Sequence, residues 1–188
     1  MSKDRSDQHW VRRRCVTHFT WAGAIIVWSI PLVAQHWTSQ MAWSLADFGM
    51  FGGLVAGVAL ALVHVSQSPH PWSYRLAAVI AAATAATVIF VNAAVGLVGA
   101  DGADANLMFF PIAAAAVAGG VFWRQDPHAL ARLFLGVGAT QIGWSGAVIL
   151  FGLIPESGRY IWDGFVSATL FGGFWLFAAL LFRRTTQA

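Results

Sequence analysis

Residues 47–75 read DFGMFGGLVAGVALALVHVSQSPHPWSYR, an apolar run, then a polar turn holding two prolines, then an arginine. The run has the roughly 20 residues a helix needs to cross the hydrocarbon core of a bilayer. The turn is short and carries the Ser, Pro and His punctuation of a helix end. From Leu76 a second apolar run begins, so the segment reads as the joint between two membrane spans.

Working outward, the same pattern predicts spans at 18–37, 47–66, 76–98, 107–123, 130–151 and 164–182. Composition points the same way. Hydrophobic residues make up 58% of the chain and charged residues 10%, against about a quarter charged in soluble domains. One water-soluble core could not hide that much apolar surface. The expected fold is all-α, a polytopic membrane protein of six helices in a compact bundle. A basic segment at 1–17 precedes one transmembrane domain at 18–182, and a basic tail at 183–188 follows it.

Charge sets the orientation. Ten of the 11 Lys and Arg residues fall on one side of six such spans. They are Lys3, Arg5, Arg12, Arg13, Arg14, Arg75, Arg124, Arg132, Arg183 and Arg184; only Arg159 falls opposite. The positive-inside rule then predicts both termini in the cytoplasm. The net charge of +3 is accordingly a topology signal and not a nucleic-acid surface. A signal peptide is the competing reading of the N-terminus. The first apolar run ends in Gln35-His36-Trp37 without a small-x-small cleavage site, so it reads as a retained helix.

With this orientation Asp47, the Asp104–Asn106 stretch and Asp163 stand before inward-running helices, where they are expected to cap free amide groups. Of ten tryptophans, Trp10, Trp37, Trp43, Trp72, Trp123 and Trp162 fall near span ends, as interfacial anchors do. Trp28, Trp144 and Trp175 fall deeper and are expected to pack between helices. Gly49, Gly53 and Gly57 repeat every four residues, and Ala139, Gly143 and Ala147 do the same, so both rows are expected to pack helices closely. Gly-Gly pairs recur at 52–53, 119–120 and 172–173.

Chemistry-bearing residues inside the spans are few. Ser29, Thr84, Thr87, Asn92, Thr140, Gln141, Ser145, Ser167 and Thr169 are the polar ones, and none is ionisable, which argues against proton or ion coupling. Asn92 and Gln141 are expected to bond across helices or to line a ligand site. The segment Gly143-Trp144-Ser145-Gly146-Ala147 resembles the nucleophile segment of rhomboid intramembrane proteases. That chemistry needs a later histidine as base, and the last histidine is His128, so Ser145 reads as a small interface residue and the chain as no enzyme. His18 and His64, at similar depth, could hold a haem iron between two helices. No other metal site is predicted, and Cys15, the single cysteine, cannot form an internal disulfide.

The run Asn92-Ala93-Ala94-Val95-Gly96-Leu97-Val98-Gly99, followed by Asp101 to Asp104 and Ala105-Asn106-Leu107-Met108-Phe109, resembles a recurring segment of a family of small bacterial inner-membrane proteins. That family also has an Asp-Phe start to its second helix, matched by Asp47-Phe48. The resemblance implies a bacterial inner membrane and a compact helical bundle, and it brings no activity with it. Asn92, Asp101, Asp104 and Asn106 are expected to converge at the outer face. Two functions remain open. One is an accessory subunit that docks against a membrane-protein partner or another copy of itself. The other is a carrier of a small apolar ligand, a quinone, lipid, pigment or haem, with Asn92 or Gln141 supplying polarity.

Overall fold

The computed structural model describes residues 3–37, 43–99, 102–153 and 160–186, without the side chains of residues 3–13 and 160. Asp101 and Arg159, and the side chains of Lys3, Arg5, Trp10, Arg12 and Arg13, therefore lie outside the described residues. Six helices are long and apolar enough to cross a membrane: Arg14–Trp37, Leu45–Ser66, Trp72–Ala94, Asp104–Phe122, Pro127–Phe151 and Ile161–Thr185. No strand occurs among the described residues.

The elements are α1 (Lys3–Trp37), α2 (Leu45–Ser66), α3 (Trp72–Ala94), a 3₁₀ turn (Asp104–Met108) leading into α4 (Phe109–Phe122), α5 (Pro127–Phe151), α6 (Tyr160–Val166) and α7 (Gly173–Thr185). A π-helical segment, Ser167–Gly172, joins the last two. Their ends follow from local chemistry. A capping box opens α2: the Asp47 amide donates to Ser44 Oγ and the Ser44 amide donates to Asp47 Oδ2. Asp126 opens α5 by accepting the amides of His128 and Ala129, with Pro127 at the first helical position. Gly152, in the left-handed region at φ 57°, closes it. Pro111 is the third residue of α4, where no intrahelical N–H is needed, so it does not break that span.

The third span stops at Ala94 and not at 98. Gly96 and Gly99 take φ of 77° and 70°, so the chain from Val95 to Gly99 leaves the helix and turns back. Asp104 and Asn106 do not cap α4 as expected. Ala103 stands at the N-cap of the 3₁₀ turn with no side-chain cap.

The helices group into two compact units, Met1–Pro69 and His70–Ala188. In the first, α1 packs on α2 through Trp28, whose indole lies over Gly52. A Cβ on Gly52 would come within 2.8 Å of Trp28 Nε1, so only glycine accepts the ring there. Trp28 Nε1 donates to the Phe48 carbonyl at 3.2 Å, and Trp43 packs edge-on to Phe51.

In the second unit, α3 contacts α4, α4 contacts α5, α5 contacts α7 and α7 contacts α3, closing an up-and-down four-helix bundle. Its core holds an aromatic ladder. Trp175 stacks on Phe134 at 5.6 Å, Phe134 on Phe182 at 5.5 Å, and Phe182 meets Tyr74 edge-on at 5.2 Å. Trp175 is fully buried, as the deep position of its indole in the sequence led one to expect.

Among the described residues the close helix contacts fall at glycines other than those of the expected rows. Among the described residues nothing lies within 4 Å of where a Cβ would stand at Gly49, Gly53, Gly57 or Gly143. Within the 1–69 unit the row on α2 therefore carries no close contact among the described residues. The close contacts come instead from Gly52, Gly119, Gly138, Gly164 and Gly172. A step of one residue turns a helix by about 100°, so Gly53 points away from the surface that Gly52 presents to Trp28, while Gly49, three residues before Gly52, lies nearer that surface. In each Gly-Gly pair the first glycine makes the close contact: Gly52 with Trp28, Gly119 with Leu133, Gly172 with Ile142.

Candidate functional site

Two buried polar clusters lie in the four-helix unit. The first is built where α3 ends. Once the chain leaves the helix at Val95, the amides of Leu97 and Val98 need acceptors, because apolar surroundings offer none. Asn106 Oδ1 accepts both, each at 3.0 Å, and Asn106 Nδ2 donates to the Val98 carbonyl at 3.2 Å. Asn92, in the last turn of α3, donates from Nδ2 to the Asn106 carbonyl at 2.9 Å. Trp144 Nε1 donates to the Ala105 carbonyl at 2.9 Å, and the Gly99 amide donates to Asp163 Oδ2 at 3.2 Å. The result is a clasp that ties the 95–99 turn to the 3₁₀ turn, with α5 and α6 holding its rim.

The clasp accounts for part of the expected outer-face site. Asn92 and Asn106 come together and both are buried. Asp104 is exposed and stays out of the clasp, while Asp101 lies outside the described residues. Asn106 turns its side chain to backbone, and Asn92 does so with its Nδ2. One buried polar atom of the clasp, Asn92 Oδ1, has no partner.

The second cluster is deeper. Gln141 and Ser145, one turn apart on α5, both face Ser167 at the start of the π segment. Gln141 Nε2 donates to Ser167 Oγ at 2.9 Å, and Ser145 Oγ donates to the same oxygen at 3.2 Å. All three side chains are buried, and Gln141 Oε1 has no partner. The hydroxyl of Ser145, the residue of the protease-like segment, thus bonds to another hydroxyl and not to a base. Four other polar residues within spans bond to the carbonyl one turn back: Ser29 to Ile25, Thr84 to Ile80, Thr87 to Ala83 and Thr169 to Phe165.

The sequence reading did not pick out Ser145 and Ser167 as partners of Gln141, or Asp163 and Trp144 as partners of the 95–106 turns. The four-residue spacing of Gln141 and Ser145 was a usable signal, since it puts both on one helix face. His18 Nδ1 donates to the Arg14 carbonyl at 2.6 Å within its own helix, and the side chains of His18 and His64 are both exposed. Among the described residues no three His, Cys, Asp or Glu side chains gather in a metal-binding group.

These features define an all-helical, multi-pass membrane protein. Comparison with known protein families, characterised proteins and solved structures finds no match.

Proposed function

We propose that this chain is a non-catalytic accessory subunit that docks against a larger membrane complex, seated in a bacterial inner membrane with both termini in the cytoplasm. The observation that carries the reading is the open glycine row on α2. At Gly49, Gly53 and Gly57 the helix offers backbone-level access over two turns, and no described residue of its own unit fills it. In lipid, helices associate through such small-residue surfaces, because apolar burial alone supplies no drive. The exposed Gly143 on α5 offers a second place of the same kind. The polar side chains support the reading by how they are used: Asn106 bonds to backbone, and Ser145 and Ser167 bond within their own cluster.

The resemblance of the 92–109 segment supports the bacterial inner membrane, and the ten-to-one distribution of basic residues supports the orientation. The single cysteine makes the orientation testable. Cys15 is exposed near the start of the first membrane span, so a membrane-impermeant maleimide is expected to leave it unlabelled in intact spheroplasts and to label it after permeabilisation. Labelling of intact spheroplasts would reverse the orientation. Docking itself is tested by co-purification of the chain and of Gly53→Ile from native membranes. The wild type is expected to bring a membrane-protein partner and the variant to lose it.

A further inference from the structure

We infer that the arginine-rich end of the four-helix unit binds the phosphate headgroup of an anionic phospholipid at the corner where α3 begins and α7 ends. This does not depend on the subunit reading. Two hydrogen bonds gather the helix ends into one surface. Ser73 Oγ and Thr185 Oγ1 are 3.1 Å apart, which sets the first turn of α3 against the last turn of α7. The Tyr74 hydroxyl donates to the Arg124 carbonyl, which holds the α4–α5 turn beside α3.

Five arginines lie at this end: Arg75, Arg124, Arg132, Arg183 and Arg184. Among the described residues the one carboxylate here is Asp126, and its Oδ1 is already committed to the His128 and Ala129 amides. Five positive charges against one negative leave an excess of four at one end of a small bundle. Arg183 and Arg184 extend exposed from the last turn of α7, with no carboxylate partner among the described residues. The first turn of α3 adds no opposing charge, since it holds no acid and its N-cap is Pro71.

The surroundings place this charge at headgroup level. Trp72 is 72% exposed and Trp123 is 41% exposed, and both belong to this end of the unit. Exposed indoles of this kind settle at the membrane interface. Guanidinium groups bind phosphate oxygens in paired, charge-assisted hydrogen bonds, and basic surfaces between helix ends select anionic headgroups. A phosphodiester seated there would face both arginines of α7 while its acyl chains run along the exposed apolar flank of the bundle.

Native mass spectrometry of the full chain in a neutral detergent tests this, with phosphatidylglycerol, phosphatidylcholine and inorganic phosphate as probes. Phosphatidylglycerol is expected to remain bound in preference to phosphatidylcholine. The double variant Arg183→Gln, Arg184→Gln is expected to weaken its retention about tenfold, and the double Lys variant, which keeps the charge, to retain most of it. If the Gln variant does not fold, the Lys variant and the loss of wild-type binding with rising salt decide the matter. Equal retention of the two lipids, a Gln variant that binds as wild type, or displacement of the lipid by equimolar inorganic phosphate would each overturn the assignment.

Discussion

Asn106→Leu is expected to destabilise the protein by about 3 kcal/mol or more, because it orphans three buried backbone groups at about 1–3 kcal/mol each. The groups are the amides of Leu97 and Val98 and the carbonyl of Val98, which all bond to this one carboxamide. In an aqueous loop water would replace the lost partner, but Asn106, Leu97 and Val98 are all buried. Asn92→Leu is a useful contrast. It removes one bond, to the Asn106 carbonyl, and also removes an oxygen that has no partner, so a loss of about 1 kcal/mol is expected. Thermal unfolding in detergent, followed by tryptophan fluorescence, ranks the two. Hydrogen exchange should show the amides of Leu97 and Val98 losing protection in Asn106→Leu. Equal melting of the two variants would mean the clasp does not hold the turn.

Trp175→Ala is expected to cost about 3 kcal/mol, in the range observed for emptying a large buried aromatic site. Its ring is fully buried and stacked on Phe134, which in turn stacks on Phe182, so the cavity would open between α5 and α7 at one end of the ladder. In a bilayer the separated helices remain in lipid, so the loss comes mainly from packing contacts and less from water transfer. Trp175→Phe separates packing from polarity. The indole Nε1 is buried without a partner, so replacing it removes an unsatisfied donor while keeping a stackable ring. This variant is expected to recover most of the stability lost in Trp175→Ala. A Trp175→Phe protein as unstable as the alanine variant would show that Nε1 has a partner in the membrane.

The six apolar helices were legible because hydrophobicity and length alone decide whether a segment can span a bilayer. The start of α2 was legible from Asp47, which completes a capping box with Ser44. The end of α3 was misread because Val95 to Val98 is as apolar as the helix before it. Only the glycines at 96 and 99 mark the exit, and glycine inside an apolar run also serves packing. Period alone found the glycine row on α2 but could not say which face meets α1. That choice was made by Gly52, where the Trp28 indole fits.

The candidate site divides in the same way. Asn92, Asn106 and Gln141 stood out because amides inside a span are costly unless bonded. Their partners were harder to read. Asn106 bonds to main chain, which carries no sequence signature. Ser145 and Ser167 meet only because α5 and α6 pack in a register that Gly164, pressed against Ile149, allows. The π segment after Val166 was not legible, since nothing in Ser167–Gly172 departs from an ordinary apolar helix.

The subunit reading is tested most directly by purifying the tagged chain from native membranes in a gentle detergent and measuring what accompanies it, with Gly53→Ile run in parallel. The row at Gly49, Gly53 and Gly57 has open space at every Cβ position, so an isoleucine there should leave the chain folded while blocking a close-packed partner helix. The expected result is a different membrane protein recovered at a fixed ratio with wild type and absent with Gly53→Ile, both chains melting alike. Wild type recovered alone, or only with copies of itself, would contradict the account.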